Sequence, residues 1–131
     1  MSMKTLIWVI AEITLVFVLL SLPSRNFHTY NSLFGKFHVD KIVHVVLFGS
    51  LAFSFFMYFE TSKFSFLKTI RAKSIVLIFC IVYGIAMEFY QKYFVPSRGF
   101  EVSDMLADAT GAIMAVPFFN WMHKKMFKKS S

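Results

Sequence analysis

Glu88 and Gln91, in the stretch YGIAMEFYQ, stand three residues apart inside an apolar run where lipid-facing sequence ordinarily carries leucine. Two other polar pairs have helical spacing. Lys41 and His44 are i, i+3 and Asp104 and Asp108 are i, i+4, so each pair shares one helix face. Asp40 precedes Lys41, and Arg98 follows Glu88 by ten residues. Lys41 and Arg98 are suited to holding a phosphate or carboxylate, Arg98 in bidentate fashion. Glu88 and His44 are suited to moving a proton and are the candidate catalytic pair. Asp40, Gln91, Asp104 and Asp108 complete the candidate ligand-binding set. No nucleophile stands beside a base, so whether the chain is an enzyme is left open. One histidine with carboxylates from separate segments lacks metal-ligand spacing, and neither a metal nor another cofactor is expected.

The segments that carry these residues are membrane-like. Of 131 residues, 57% are hydrophobic and 19% aromatic, against about 45–50% apolar in a soluble domain. The mean hydropathy is +0.63. Four apolar runs, 5–22, 41–59, 74–94 and 102–122, are each about long enough to cross a ~30 Å hydrocarbon layer. They leave no room for a separate soluble domain. The expectation is an all-α, polytopic membrane four-helix bundle forming one domain over residues 1–131. The single Cys80 excludes a disulfide framework within the chain. Glu12 interrupts the first run, and no A-x-A-like site ends it, so it reads as a retained span rather than a cleaved signal.

Nine of the 14 Lys and Arg residues fall at the amino end, in the 60–73 connector and in the tail, leaving five on the opposite side. That asymmetry predicts both termini in the cytoplasm. The net charge of +7 gathers at membrane edges, and the tail HKKMFKKSS suits anionic lipid headgroups at about 1 kcal/mol per Lys. Nucleic acid is not expected as a partner. The first connector, with Phe27, Tyr30, Phe34, Gly35 and Phe37, suits the headgroup region, and the second lies along the inner surface. In the third, Pro96 and Gly99 break the helix and Ser103 is placed to cap the last span. Ala107, Gly111 and Ala115, with Gly84 on the third span, predict close packing of the third and fourth helices. Pro117 is a point where the last helix can bend.

Depth brings the polar pairs together. Counted from Ser74 at 1.5 Å per residue, Glu88 lies ~21 Å along its span, and Phe94 closes that span ~9 Å further on. Lys41, His44, Asp104 and Asp108 lie within about two turns of the same boundary. Three polar faces at one depth form one pocket, with Arg98 above it. The same residues also fit a purely structural network, in which Lys41, His44 or Arg98 neutralises Glu88. Asp104 would favour a helix N-terminus even with no ligand. Glu12 calls for a partner on another helix or for a wet crevice.

The blocks DKIVHVVLFGSLAF, YGIAMEFYQ and PSRGFEVSDMLADATGA, in that order between Asp40 and about Ala115, resemble the VanZ-like family of small bacterial membrane proteins. The pattern is Asp-Lys-x-x-His, Gly-x-x-x-Glu-x-x-Gln, Arg followed by an aromatic, then Asp-x-x-x-Asn-x-x-Gly. This chain departs from it at Asp108, which sets a second carboxylate near Asp104. The resemblance implies a multi-pass protein of the bacterial inner or plasma membrane and a link to teicoplanin resistance, but no known reaction. Three functional readings follow. The first is an outward-facing site that binds or modifies an anionic lipid or cell-envelope intermediate. The second is a non-catalytic scaffold or binding protein for a glycopeptide, an envelope precursor or a partner. The third is a small transporter. Membrane lipids are partners in all three, and the oligomeric state is left open.

Overall fold

In hydrocarbon every backbone amide must be satisfied within the protein, which leaves the helix as the economical form for long apolar runs. The computed structural model describes residues 3–23, 38–62 and 70–127. They form four helices: α1 (Met3–Leu20), α2 (His38–Glu60), α3 (Ile70–Phe94) and α4 (Val102–Phe127). All four are long and apolar enough to cross a membrane. The two longer connectors, with Phe27, Tyr30, Phe34, Gly35 and Phe37 in the first, and the last lysines of the tail lie outside the described residues.

Side-chain contacts at the two ends define an up-and-down bundle. At one end the Thr5 and Thr61 hydroxyls are 3.1 Å apart, His123 Nε2 is 3.1 Å from Glu60 Oε1, and Lys73 Nζ donates to Asn120 Oδ1 at 2.6 Å. At the other end Lys41 meets Asp104 and Gln91 meets the end of α1. Both ends of the described chain therefore share one face of the bundle. Midway along it, Ser50 Oγ donates to Glu12 Oε2 at 3.1 Å, giving Glu12 its partner on another helix.

The core runs along the bundle axis through Val16, Phe48, Leu51, Phe56, Val76, Cys80, Met87 and Phe119. The outer surface is also apolar, with Trp8, Val46, Ile78, Val82, Ile113 and Trp121 exposed. A bundle apolar inside and out is soluble in lipid rather than in water, and the chain is a multi-pass membrane protein.

One expectation is extended and one is corrected. The third and fourth helices pack together as expected, but Gly111 closes on α2: a Cβ built on Gly111 would overlap the Val45 backbone, and one built on Gly49 would lie 3.2 Å from Gly111 O. A small-residue stripe reports that a helix approaches a neighbour closely, without saying which neighbour. Ser103 does not cap α4. The Glu101 carbonyl accepts the Asp104 amide at 3.1 Å, which puts Glu101 at the cap and Ser103 inside the first turn, its hydroxyl donating to Glu101 Oε2 at 3.3 Å. α4 continues through Pro117 to Phe127.

Candidate functional site

The site is built where the short α3–α4 connector turns back on itself. The Arg98 amide donates to the Val95 carbonyl at 3.3 Å, with Pro96 and then Ser97, at φ 66°, in the central positions. This is the pattern of a type II turn, in which the third position usually carries Gly; a side chain there costs roughly 1–2 kcal/mol. The reversal delivers the Glu101 amide to Glu88 Oε2 at 2.9 Å. Glu88 therefore takes its hydrogen bond at the N-terminus of α4, where unpaired amides favour a carboxylate.

α2 supplies the opposite wall. Lys41 Nζ donates to Asp104 Oδ1 at 2.9 Å and to Glu101 Oε2 at 3.2 Å. One turn deeper, His44 Nδ1 lies 2.8 Å from Asp108 Oδ1, and its other ring nitrogen lies 3.8 Å from Asp104 Oδ2. Arg98 Nη2 is 3.8 Å from Asp40 Oδ1 at the rim. His44, Glu88, Asp104 and Asp108 are all buried. Gly84 makes the room for Asp108: a Cβ on Gly84 would come within 2.7 Å of Asp108 Oδ2. Here α3 and α4 do meet as expected, through a carboxylate laid into a glycine niche.

The structure thus gathers Asp40, Lys41, His44, Glu88, Arg98, Asp104 and Asp108 at one end of the bundle, as depth and spacing predict. It gives Gln91 a different task. Its side-chain amide donates to Leu20 O at 2.9 Å, satisfying one of the carbonyls that a helix leaves open at its C-terminus. Gln91→Leu should strip that donor from a buried carbonyl and lower stability by about 1–3 kcal/mol. A melting series in detergent would read the loss, with ligand binding per folded molecule unchanged.

Sequence reasoning missed Glu101. Its amide holds Glu88, its carbonyl starts α4, and its carboxylate bridges Lys41 and Ser103. The available signal was an acidic residue immediately before the first turn of an apolar helix.

Among the described residues, the buried atoms His44 Nε2, Glu88 Oε1 and Asp108 Oδ2 take part in no hydrogen bond. The arrangement can accept hydrogen bonds from a bound group at buried carboxylate oxygens, with Lys41 partly exposed at its rim and the Arg98 guanidinium, on a side chain only 8% exposed, beside Asp40.

Against known proteins, a family model described as VanZ/LLP1 matches residues 4–123. That match reaches into the first span, which the sequence blocks did not include. Searches of curated proteins and of solved structures returned no match.

Proposed function

The chain belongs to the VanZ/LLP1 family, and from that premise we propose that the polar end of its bundle binds the anionic head of a membrane lipid or a lipid-linked cell-envelope intermediate. The supporting observation is the unfinished hydrogen bonding of Glu88, His44 and Asp108. A cluster that only locked helices together would have little reason to leave buried polar atoms unbonded at about 1–3 kcal/mol each.

The two cations differ in access. Arg98, whose side chain is only 8% exposed, faces Asp40 from inside the cluster. Lys41 shares its charge with Glu101, whose carboxylate is 51% exposed; an exposed ion pair contributes about 1 kcal/mol or less, so an incoming phosphate or carboxylate can displace Glu101 from Lys41. Lys41 would keep its hold on buried Asp104 while it does so. The acids beneath then accept hydrogen bonds from hydroxyls of the headgroup. The Lys and Arg asymmetry supports a cytoplasmic location for both termini, which would turn this end toward the outer leaflet of a bacterial plasma membrane. A role in glycopeptide (teicoplanin) resistance would be exercised at that surface.

Glu88→Gln tests the reading, because it keeps an oxygen for the Glu101 amide and changes the group offered to the ligand. Purified protein would be incubated with phosphatidylglycerol or a polyprenyl phosphate, and retained lipid counted by native mass spectrometry. Retention should fall at least about tenfold, or ~1.4 kcal/mol, in protein that melts normally. Full retention by folded Glu88→Gln protein would sink the proposal. A lowered melting temperature with unchanged lipid per folded molecule would favour the scaffold.

A further inference from the structure

We propose that Asp40, His44 and Asp104 form a binding site for one divalent first-row transition-metal ion, with Asp108 as the positioning residue behind His44. One potential ligand atom from each of the three lies within 4.8 Å of the others. Ligands 2.1 Å from a common ion stand about 3.4 Å apart in a tetrahedral site, so the three must draw together by about an ångström. Asp40, at the rim and 37% exposed, has the freedom to move.

The histidine is already turned for the task. His44 Nδ1 is 2.8 Å from Asp108 Oδ1, so a proton carried on Nδ1 would leave the Nε2 lone pair on the side of Asp104. There Nε2 is wholly buried and takes no hydrogen bond from the described residues. It lies 3.8 Å from Asp104 Oδ2. A carboxylate behind an imidazole fixes its tautomer and raises its basicity toward a metal, the usual outer arrangement of histidine ligands. Asp104 is divided in a complementary way. Lys41 occupies Oδ1 at 2.9 Å, and Oδ2 is the oxygen that faces the histidine.

Charge points the same way. Glu88, Glu101, Asp40, Asp104 and Asp108 share this end of the bundle with three basic side chains, Lys41, Arg98 and His44. Acidic groups outnumber basic ones five to three at the edge of hydrocarbon, where unbalanced charge is costly. A divalent ion would offset that excess. One imidazole nitrogen with two carboxylate oxygens suits Zn²⁺ or Mn²⁺ better than Mg²⁺ or Ca²⁺, which favour oxygen alone. Sequence spacing could not show the site, because its ligands come from two helices and are brought together by α2–α4 packing. The proposal goes beyond headgroup binding and does not require it.

The test uses the full, untagged chain in detergent, stripped with EDTA and titrated with Co²⁺ while visible absorption is recorded. One saturable Co²⁺ per chain, displaced by Zn²⁺, is expected. Loss of a ligand costs at least what loss of an outer partner costs, on the order of 10–100-fold. Asp40→Asn, a rim change that leaves the buried groups in place, should weaken Co²⁺ binding by that much. Asp108→Asn should also weaken it and shift the absorption bands, since an amide is a poorer partner for His44, while the melting curve of the metal-free protein changes little. No saturable Co²⁺ bands in folded wild-type protein, or equal affinity in Asp40→Asn, would overturn the site. Lipid retention by stripped protein reads the headgroup reading separately, so either proposal can fail alone.

Discussion

Gly111→Ala should leave little folded protein. At Gly111, α4 lies against α2 with no side chain between them, and a Cβ would overlap the Val45 carbonyl carbon and oxygen. That carbonyl is in the interior of a continuous helix, where it accepts the amide four residues on. It cannot swing aside as a flexible side chain would. The helices must separate, and the loss extends along the seam to Ala112 and Ala115, both buried in the core. Ordinary overpacking costs about 1–3 kcal/mol; a backbone obstruction should exceed ~3 kcal/mol on the same scale. Gly49→Ala is the matched control. Its Cβ would sit 3.2 Å from Gly111 O, a tight fit that a few tenths of an ångström relieves, and the cost should be about 1 kcal/mol. Thermal melts and monodisperse yield in detergent compare the two directly. Equal behaviour of the two variants would mean that α2 and α4 do not cross as described.

The second large effect concerns the buried pair of His44 and Asp108. Asp108→Ala removes the partner of His44 Nδ1, 2.8 Å away, from a place where both side chains are 1% exposed. Breaking a buried pair by removing one member typically costs about 3–5 kcal/mol, because the other is left without compensation. The empty volume beside Gly84 adds to that. Asp108→Asn keeps the shape and an oxygen facing Nδ1, and should recover most of the loss. The same melts check both. If alanine and asparagine melt alike, hydrogen bonding at this position is not what holds α2 to α4.

The spans and the convergence of polar groups were legible because each rests on one coordinate, distance along a helix. Apolar length defines the crossings, and i, i+3 or i, i+4 spacing puts Lys41 with His44 and Asp104 with Asp108 on common faces. Depth then brings those faces level. What spacing does not encode is rotation about the helix axis. Gln91 is only one turn from Glu88, yet it points to Leu20 at the end of α1 while Glu88 points to Glu101. For the same reason the spacing of small residues predicts that α4 meets α3 but does not show that Gly111 closes on α2. Glu101 was hidden differently. Its role depends on the Ser97 reversal, and a serine in a left-handed conformation carries no glycine-like signature.

The niche at Gly84 also constrains how this chain can change over generations. The carboxylate of Asp108 occupies the space that any side chain at position 84 would need, so the two positions divide one fixed volume between them. Enlarging one is tolerable only when the other shrinks, and each step taken alone passes through a poorly packed intermediate. Among descendants of this sequence, positions 84 and 108 should therefore drift as a pair, bound by space as much as by charge.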